Sequence, residues 1–181
     1  MRAGWLAAVA AAVALVIPSP SYGSFSIPTP SIFTDASRAD VVPPGVVYVA
    51  PFPRDSGANI APMLWQAEAR MRFAMPGGYV LVPDAAGRLR STARPVDALS
   101  AVVLGLQVGQ VAPPRPAWAA LRAQLIADHA TAVLVGPMEH EDAVRGFFTA
   151  LLGSPPRHVG GVWLWLSPSR APPSPGGRAR I

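Results

Sequence analysis

The stretch RPAWAALRAQLIADHATAVLVGP, residues 115–137, predicts a helix that leads directly into a buried strand. Pro116 stands where a helix can begin, and Trp118, Leu121 and Leu125 form one apolar stripe at helical spacing. The following TAVLVGP is a short β-branched run that ends in turn residues, which is typical of a strand inside a sheet. A helix followed at once by a buried strand favours an α/β domain.

The same pattern extends in both directions along the chain. GVVYVAPFP (45–53), YVLVP (79–83) and GGVWLWL (160–166) indicate further strands, and PVDALSAVVLGLQVG (95–109) and EDAVRGFFTALLG (141–153) indicate further helices. Another helix is predicted to begin at Pro62, and a short one within residues 32–42. Because strands and helices alternate from Gly45 to Leu166, we predict a small, mostly parallel sheet flanked by helices.

Four segments are predicted from composition. Residues 1–23 form an apolar transmembrane or signal segment, and residues 24–44 form a linker rich in Pro and Ser. Residues 45–166 form the α/β domain, and residues 167–181 form a basic, Pro-rich tail that we expect to be disordered.

The N-terminal segment places the domain outside the cytoplasm under either of two interpretations. Arg2 precedes an apolar run over residues 3–17, which as a helix spans roughly 22 Å, short of a bilayer core of about 30 Å. The run is therefore a signal peptide that is cut after Gly23, or part of a transmembrane helix. With Arg2 on the cytoplasmic side, both send the domain across the membrane.

Composition excludes several classes of chemistry. There is no Cys and no Lys, so thiol catalysis, Cys-ligated zinc, a Walker-type phosphate loop and a Schiff-base lysine are all excluded. The formal net charge of +5 comes from scattered Arg residues with no basic run among aromatics, which argues against nucleic-acid binding. Hydrophobic residues make up 51% and charged residues 14% of the chain, which points to a membrane or exported context. We predict no cofactor.

The most distinctive motif is PMLWQAEARMRFAMPGGYVLVP, residues 62–83. On a helix Trp65, Glu68 and Arg72 share a face, and Glu68 precedes Arg72 by four residues, the order that stabilises an ion pair. The functional interpretation is a ligand-facing surface, with Trp65 stacking on a ligand, Gln66, Glu68 and Arg72 in polar contact with it, and Tyr79 ending the segment. The alternative is architecture, a helix with one ion pair and a tight turn into a strand. Spacing alone favours the alternative.

The acidic cluster GPMEHED, residues 136–142, invites a metal site built from Glu139, His140 and Asp142. These residues stand between a strand and a helix, where acids stabilise the helix start, and adjacent helical positions point in different directions. We therefore predict a helix start, no metal site and no catalytic residue. A hydrolase that uses His140 with Glu139 or Glu141 is a distant alternative.

Three segments carry a family resemblance: VVYVAPFP, MLWQAEARMRFAMPGGYVLVP and LLGSPPRHVGGVWLW. Together they resemble the C-terminal region of large actinobacterial membrane proteins, which are similar to polytopic glycosyltransferases of the C-type fold that use polyprenyl-phosphate sugars. The resemblance covers roughly residues 3–166. In that fold the catalytic acid lies in an early extracytoplasmic loop, to which no part of this chain corresponds.

The resemblance implies an extracytoplasmic domain at the cell membrane, accessory or substrate-facing and not itself catalytic. The implied partners are the membrane, a polytopic membrane portion, and a polyprenyl-phosphate sugar or a glycan acceptor. The alternative hypothesis is a small secreted binding protein that acts alone.

Overall fold

A computed structural model describes residues 27–38, 40–53, 60–78, 80–83, 86–92 and 97–168. The helices are α1 (Ser31–Thr34), α2 (Ala61–Glu68), α3 (Ala98–Gln107), α4 (Trp118–Ala127) and α5 (Glu141–Leu152), with 3₁₀ turns at Ala36–Arg38 and Arg115–Ala117. The strands are β1 (Gly45–Ala50), β2 (Phe73–Ala74), β3 (Val80–Pro83), β4 (Leu89–Thr92), β5 (Ala130–Val135), β6 (Arg157–Val159) and β7 (Val162–Leu166). The α/β class predicted from the sequence is confirmed.

The main sheet has five strands in the order β2-β1-β5-β7-β6. Strand β1 pairs in parallel with both β2 and β5, whereas β7 runs antiparallel to β5 and to β6. The prediction of a mostly parallel sheet is therefore wrong, because the sheet is mixed. The cause is the Gly160–Gly161 turn, with φ of 56° and 85°, which reverses the chain between β6 and β7. Strand β6 takes the outer edge, and β7 returns to lie beside β5.

A second, two-stranded sheet is an antiparallel hairpin of β3 and β4. Val80 pairs with Thr92 and Pro83 with Leu89, and Gly87 lies in the turn with φ of 74°. The sequence pattern predicted β3 but not β4.

Each central strand contributes side chains to two cores, because successive strand residues point to opposite faces of a sheet. On one face Tyr48 of β1 and Val133 of β5 pack with helices α3, α4 and α5. On the other face Val47 of β1 and Leu134 of β5 pack with α1 and α2. Burial on both faces explains why β1 and β5 read as continuous apolar runs. We call these the α3–α5 face and the α1–α2 face.

The second core begins well before β1. Ile32 and Phe33 are buried in it, and the Ile32 amide donates a hydrogen bond to the Gly160 carbonyl at 3.1 Å. A Cβ on Gly160 would lie 2.6 Å from that amide nitrogen, so the close approach requires glycine. Part of the segment that composition describes as a linker thus packs into the domain.

The predicted apolar segment, residues 1–23, and residues 169–181 of the predicted tail lie outside the described residues. Within the described ranges, no helix has both the length and the apolar character needed to cross a membrane.

Candidate functional site

Trp65, which was a candidate for stacking on a ligand, is a core residue. Its side chain is 1% exposed, and its ring stacks on Phe33 with 5.6 Å between centroids and 13° between planes. Its indole Nε1 donates a hydrogen bond to the Pro28 carbonyl at 3.2 Å. Gly136, directly after β5, packs against the ring so closely that a Cβ there would lie 2.3 Å from Cη2. At 1% exposure, the Trp65 ring has no surface left for stacking on a ligand.

The other candidates of this motif are separated by the end of α2. The Gln66 side-chain amide donates to the Phe73 carbonyl at 2.7 Å, which ties the helix to β2. Helix α2 ends at Glu68, so Arg72 is not on it and instead forms an ion pair with Asp40. Glu68 is exposed. Tyr79 lies outside the described residues.

Helix α2 ends in a Schellman motif whose critical position is not glycine. The Arg70 amide donates to the Ala67 carbonyl at 2.8 Å and the Met71 amide to the Gln66 carbonyl at 2.9 Å, the two hydrogen bonds that define the motif. Arg70 and Met71 have φ of 53° and 55°, in the left-handed region that disfavours residues with a Cβ. We call residues 69–72 the α2 tip.

A cleft of about 540 Å³ lies beside the α2 tip on the α1–α2 face. Buried apolar residues form its floor and charged residues its rim: Ile32, Phe33, Val42 and Phe73 below, and Asp40, Glu68, Arg70 and Arg72 above. Of the predicted set, Glu68 and Arg72 therefore line one cleft. Trp65 and Gln66 do not line it, and their hydrogen bonds stabilise the fold around it.

A second cluster of polar side chains, which the sequence analysis missed, surrounds the hydroxyl of Tyr48. The hydroxyl donates to Asp128 Oδ2 at 2.5 Å and accepts from Gln124 Nε2 at 2.8 Å. Asp97 Oδ2 lies 3.4 Å from the same hydroxyl. A hydroxyl has only one proton to donate, and here it donates that proton to the nearer carboxylate, Asp128. Asp97 Oδ2 therefore remains available as an acceptor.

The backbone holds this cluster in place. Asp97 is the N-cap of α3, where its other oxygen accepts from the Ser100 amide at 2.7 Å. Gln124 on α4 accepts from the Leu99 amide at 3.2 Å. Asp128 follows α4 directly and precedes β5. Tyr48, which is 3% exposed, is thus the common partner of residues at three element ends. These are the start of α3, the end of α4 and the start of β5.

Burial raises the pKa of Tyr48 well above its ordinary value, and the hydrogen bond to Asp128 and the negative charges of Asp97 and Asp128 raise it further. A phenolate beside two carboxylates would be strongly destabilised. Tyr48 therefore keeps its proton at neutral pH and acts as a hydrogen-bond donor to Asp128.

The polar cluster opens into a cleft of about 450 Å³, which we call the amino-edge cleft. Asp97, Gln124 and Asp128 line one side of it, and an apolar wall of Val46, Ala74, Met75 and Pro76 lines the other. It lies at the amino ends of the parallel strands β1 and β5, whereas ligands of open α/β sheets usually bind at the carboxyl ends. The cleft offers anchored acceptors and an apolar surface.

The acidic cluster before α5 starts the helix, as expected. Glu141 and Asp142 lie in the first turn of α5. Glu141 accepts a hydrogen bond from Trp163 Nε1 at 2.6 Å, and Asp142 pairs with Arg145 at 2.7 Å. Across the described ranges, no group of three or more His, Asp or Glu side chains could hold a metal ion.

No single motif could have revealed the Tyr48 cluster, because its members lie 49 and 80 residues apart in the chain. The only local signals are a tyrosine inside an aliphatic strand and an aspartate at a helix start. Comparison of the chain with family models, curated proteins and solved structures finds no match.

Proposed function

We propose that this chain is an extracytoplasmic, non-catalytic domain of a membrane glycosyltransferase-like protein, and that it binds the acceptor glycan in the amino-edge cleft. The family resemblance of its motifs supports the protein class. The observation that carries the proposal is the Tyr48 cluster, which presents carboxylate oxygens held by backbone and side-chain hydrogen bonds beside an apolar wall.

The chemistry of the cleft suits a neutral sugar. Sugar hydroxyls donate hydrogen bonds, and Asp97 and Asp128 are acceptors when ionised. The apolar wall that includes Met75 and Pro76 suits the C–H face of a sugar ring. A phosphate would be repelled by the two carboxylates, and the described residues that line the cleft include no arginine. These features favour the acceptor over the phosphate end of a polyprenyl-phosphate donor.

The absence of an activated nucleophile among the cleft's described residues supports a binding role. Tyr48 keeps its proton, and Gln124 does not titrate. Asp97 and Asp128 already hold Ser100 and Tyr48 by hydrogen bonds, so both carboxylates also have structural duties. A site of this kind positions a substrate for chemistry that takes place elsewhere.

Saturation-transfer NMR on the full chain in detergent, with a panel of neutral hexose and pentose oligosaccharides, tests the binding role. We expect at least one sugar to bind, and the Asp97→Asn/Asp128→Asn variant to lose that binding while it stays folded, because asparagine retains helix capping. The matched control is Asp142→Asn, an exposed carboxylate on α5 that should bind normally. No binding by the unmodified chain, or equal binding by the double variant, would refute the proposal.

Location is tested separately, by immunoblotting membrane, soluble and medium fractions with an antibody to residues 115–130. A membrane-bound product supports the proposal. A product of 18.9 kDa or slightly less in the medium would support the alternative, a secreted binding protein.

A further inference from the structure

The α2 tip exposes an apolar side chain that its backbone motif normally covers. In a Schellman motif the residue after the left-handed position usually packs back onto the helix it ends. Here that residue is Met71, and its side chain is 67% exposed. Its own backbone is left-handed as well, with φ of 55°. The strained conformation therefore presents Met71 to the surroundings instead of burying it, and such strain concentrates at functional positions.

The chain enters the described fold on the same face as the α2 tip. The Pro28 carbonyl accepts the hydrogen bond from Trp65, and Phe33 stacks on the same indole. Trp65 lies one turn before the α2 tip. Residues 18–26 are all that separate this point from the apolar run at residues 3–17. Nine residues span at most roughly 30 Å when fully extended. A bilayer that holds the apolar run therefore lies within reach of the α1–α2 face.

We propose that the α1–α2 face lies against the lipid bilayer and that Met71 inserts into the headgroup region. This inference rests on the membrane anchoring of the proposed function. Methionine is unbranched and flexible, which suits the irregular boundary between headgroups and acyl chains. The exposed Arg70 beside it keeps its charge in the polar layer while its stem follows Met71 inward.

The charge of the surface sets the mode of binding. The described rim of the adjacent cleft carries two acids, Asp40 and Glu68, and two arginines, Arg70 and Arg72. With no excess of positive charge, attraction to anionic lipids contributes little, so the contact depends on apolar insertion. One side chain is sufficient because a short tether raises the local concentration of the surface to the millimolar range or so.

The chain contains no cysteine, so a single introduced cysteine gives a unique label. The test uses the full chain reconstituted into phosphatidylcholine–phosphatidylglycerol vesicles, with an environment-sensitive fluorophore at Met71→Cys. Val111→Cys is the matched control, since Val111 is 94% exposed and its loop joins α3 to α4. Vesicles with nitroxide-labelled lipid then report contact with the acyl boundary.

We expect the label at position 71 to be quenched at least about threefold more than the label at position 111, with no change between about 0.05 and 0.5 M NaCl. Equal quenching at both positions, in chains that float with the vesicles, would overturn the orientation but leave the anchoring intact. Chains that fail to float would overturn the anchoring itself, and this inference with it. A label at position 71 that is shielded in native membranes but not quenched in vesicles would indicate a protein partner instead of lipid.

Discussion

Replacing Arg70 with glycine should stabilise the protein, although the change removes a whole side chain. Arg70 is the left-handed residue of the Schellman motif that ends α2, with φ of 53°. A residue with a Cβ costs about 1–2 kcal/mol in that conformation, and glycine avoids this cost. Glycine also gives the unfolded chain more freedom, which costs about 0.4–1 kcal/mol. From the middle of both ranges, the net gain in the free energy of unfolding is about 0.8 kcal/mol.

Two controls separate backbone strain from loss of the side chain. Arg70→Ala keeps the Cβ and the strain, so its free energy of unfolding should stay within about 0.5 kcal/mol of the unmodified protein. Ala67→Gly, one turn earlier in α2, should lower the free energy of unfolding by about 1 kcal/mol, because glycine is a poor residue inside a helix.

Urea unfolding followed by tryptophan fluorescence measures all three variants, since Trp65 lies at the same helix. The urea midpoint should be highest for Arg70→Gly, lower and about equal for the unmodified protein and Arg70→Ala, and lowest for Ala67→Gly. An Arg70→Gly midpoint at or below that of Arg70→Ala would show that the left-handed backbone carries no strain here.

Three further perturbations test the cores and the Tyr48 cluster. Trp65→Ala should lower the free energy of unfolding by about 3–5 kcal/mol through the cavity it leaves, whereas Trp65→Phe, which keeps an aromatic ring against Phe33, should cost clearly less in urea titrations. Gly136→Ala should cost about 1–3 kcal/mol, because its Cβ would clash with the Trp65 ring; a thermal midpoint equal to that of the unmodified protein would contradict this contact. The pKa of Tyr48 is higher in the folded than in the unfolded chain, so the stability that its protonated form contributes should be complete below the unfolded pKa, near 10, and should decline as the pH rises above it. The urea midpoint of the unmodified protein should therefore fall above about pH 10, and Tyr48→Phe should make that fall less steep.

Regular periodicity was sufficient to predict most of the scaffold. Helices α3, α4 and α5 and strands β1, β5 and β7 lie where apolar spacing and turn residues indicated them. The mixed topology was not predictable in the same way. Strand β6 has only three residues, of which Arg157 and His158 are exposed, so it carries no hydrophobic pattern. Strand β6 is defined by its pairing with β7, which a pattern within its own three residues cannot indicate.

The candidate site was harder to predict, because sequence spacing says nothing about which helix face is covered. Trp65 has the residue type of a ligand platform, but its burial depends on Phe33, which lies 32 residues earlier in a segment that composition describes as a linker. The Tyr48 cluster depends on tertiary contacts alone. Asp97 has an ordinary local role as a helix cap and Asp128 follows a helix end, and only the tertiary fold brings them to one hydroxyl.

The arrangement of the main sheet also bears on how the protein avoids aggregation. Its three long apolar strands, β1, β5 and β7, lie in the interior of the order β2-β1-β5-β7-β6. The two strands at its borders have only two and three residues, so each offers few unpaired amide and carbonyl groups to another chain. Another chain could therefore form only a few backbone hydrogen bonds with either border strand. Short border strands of this kind limit edge-to-edge pairing between copies of the chain.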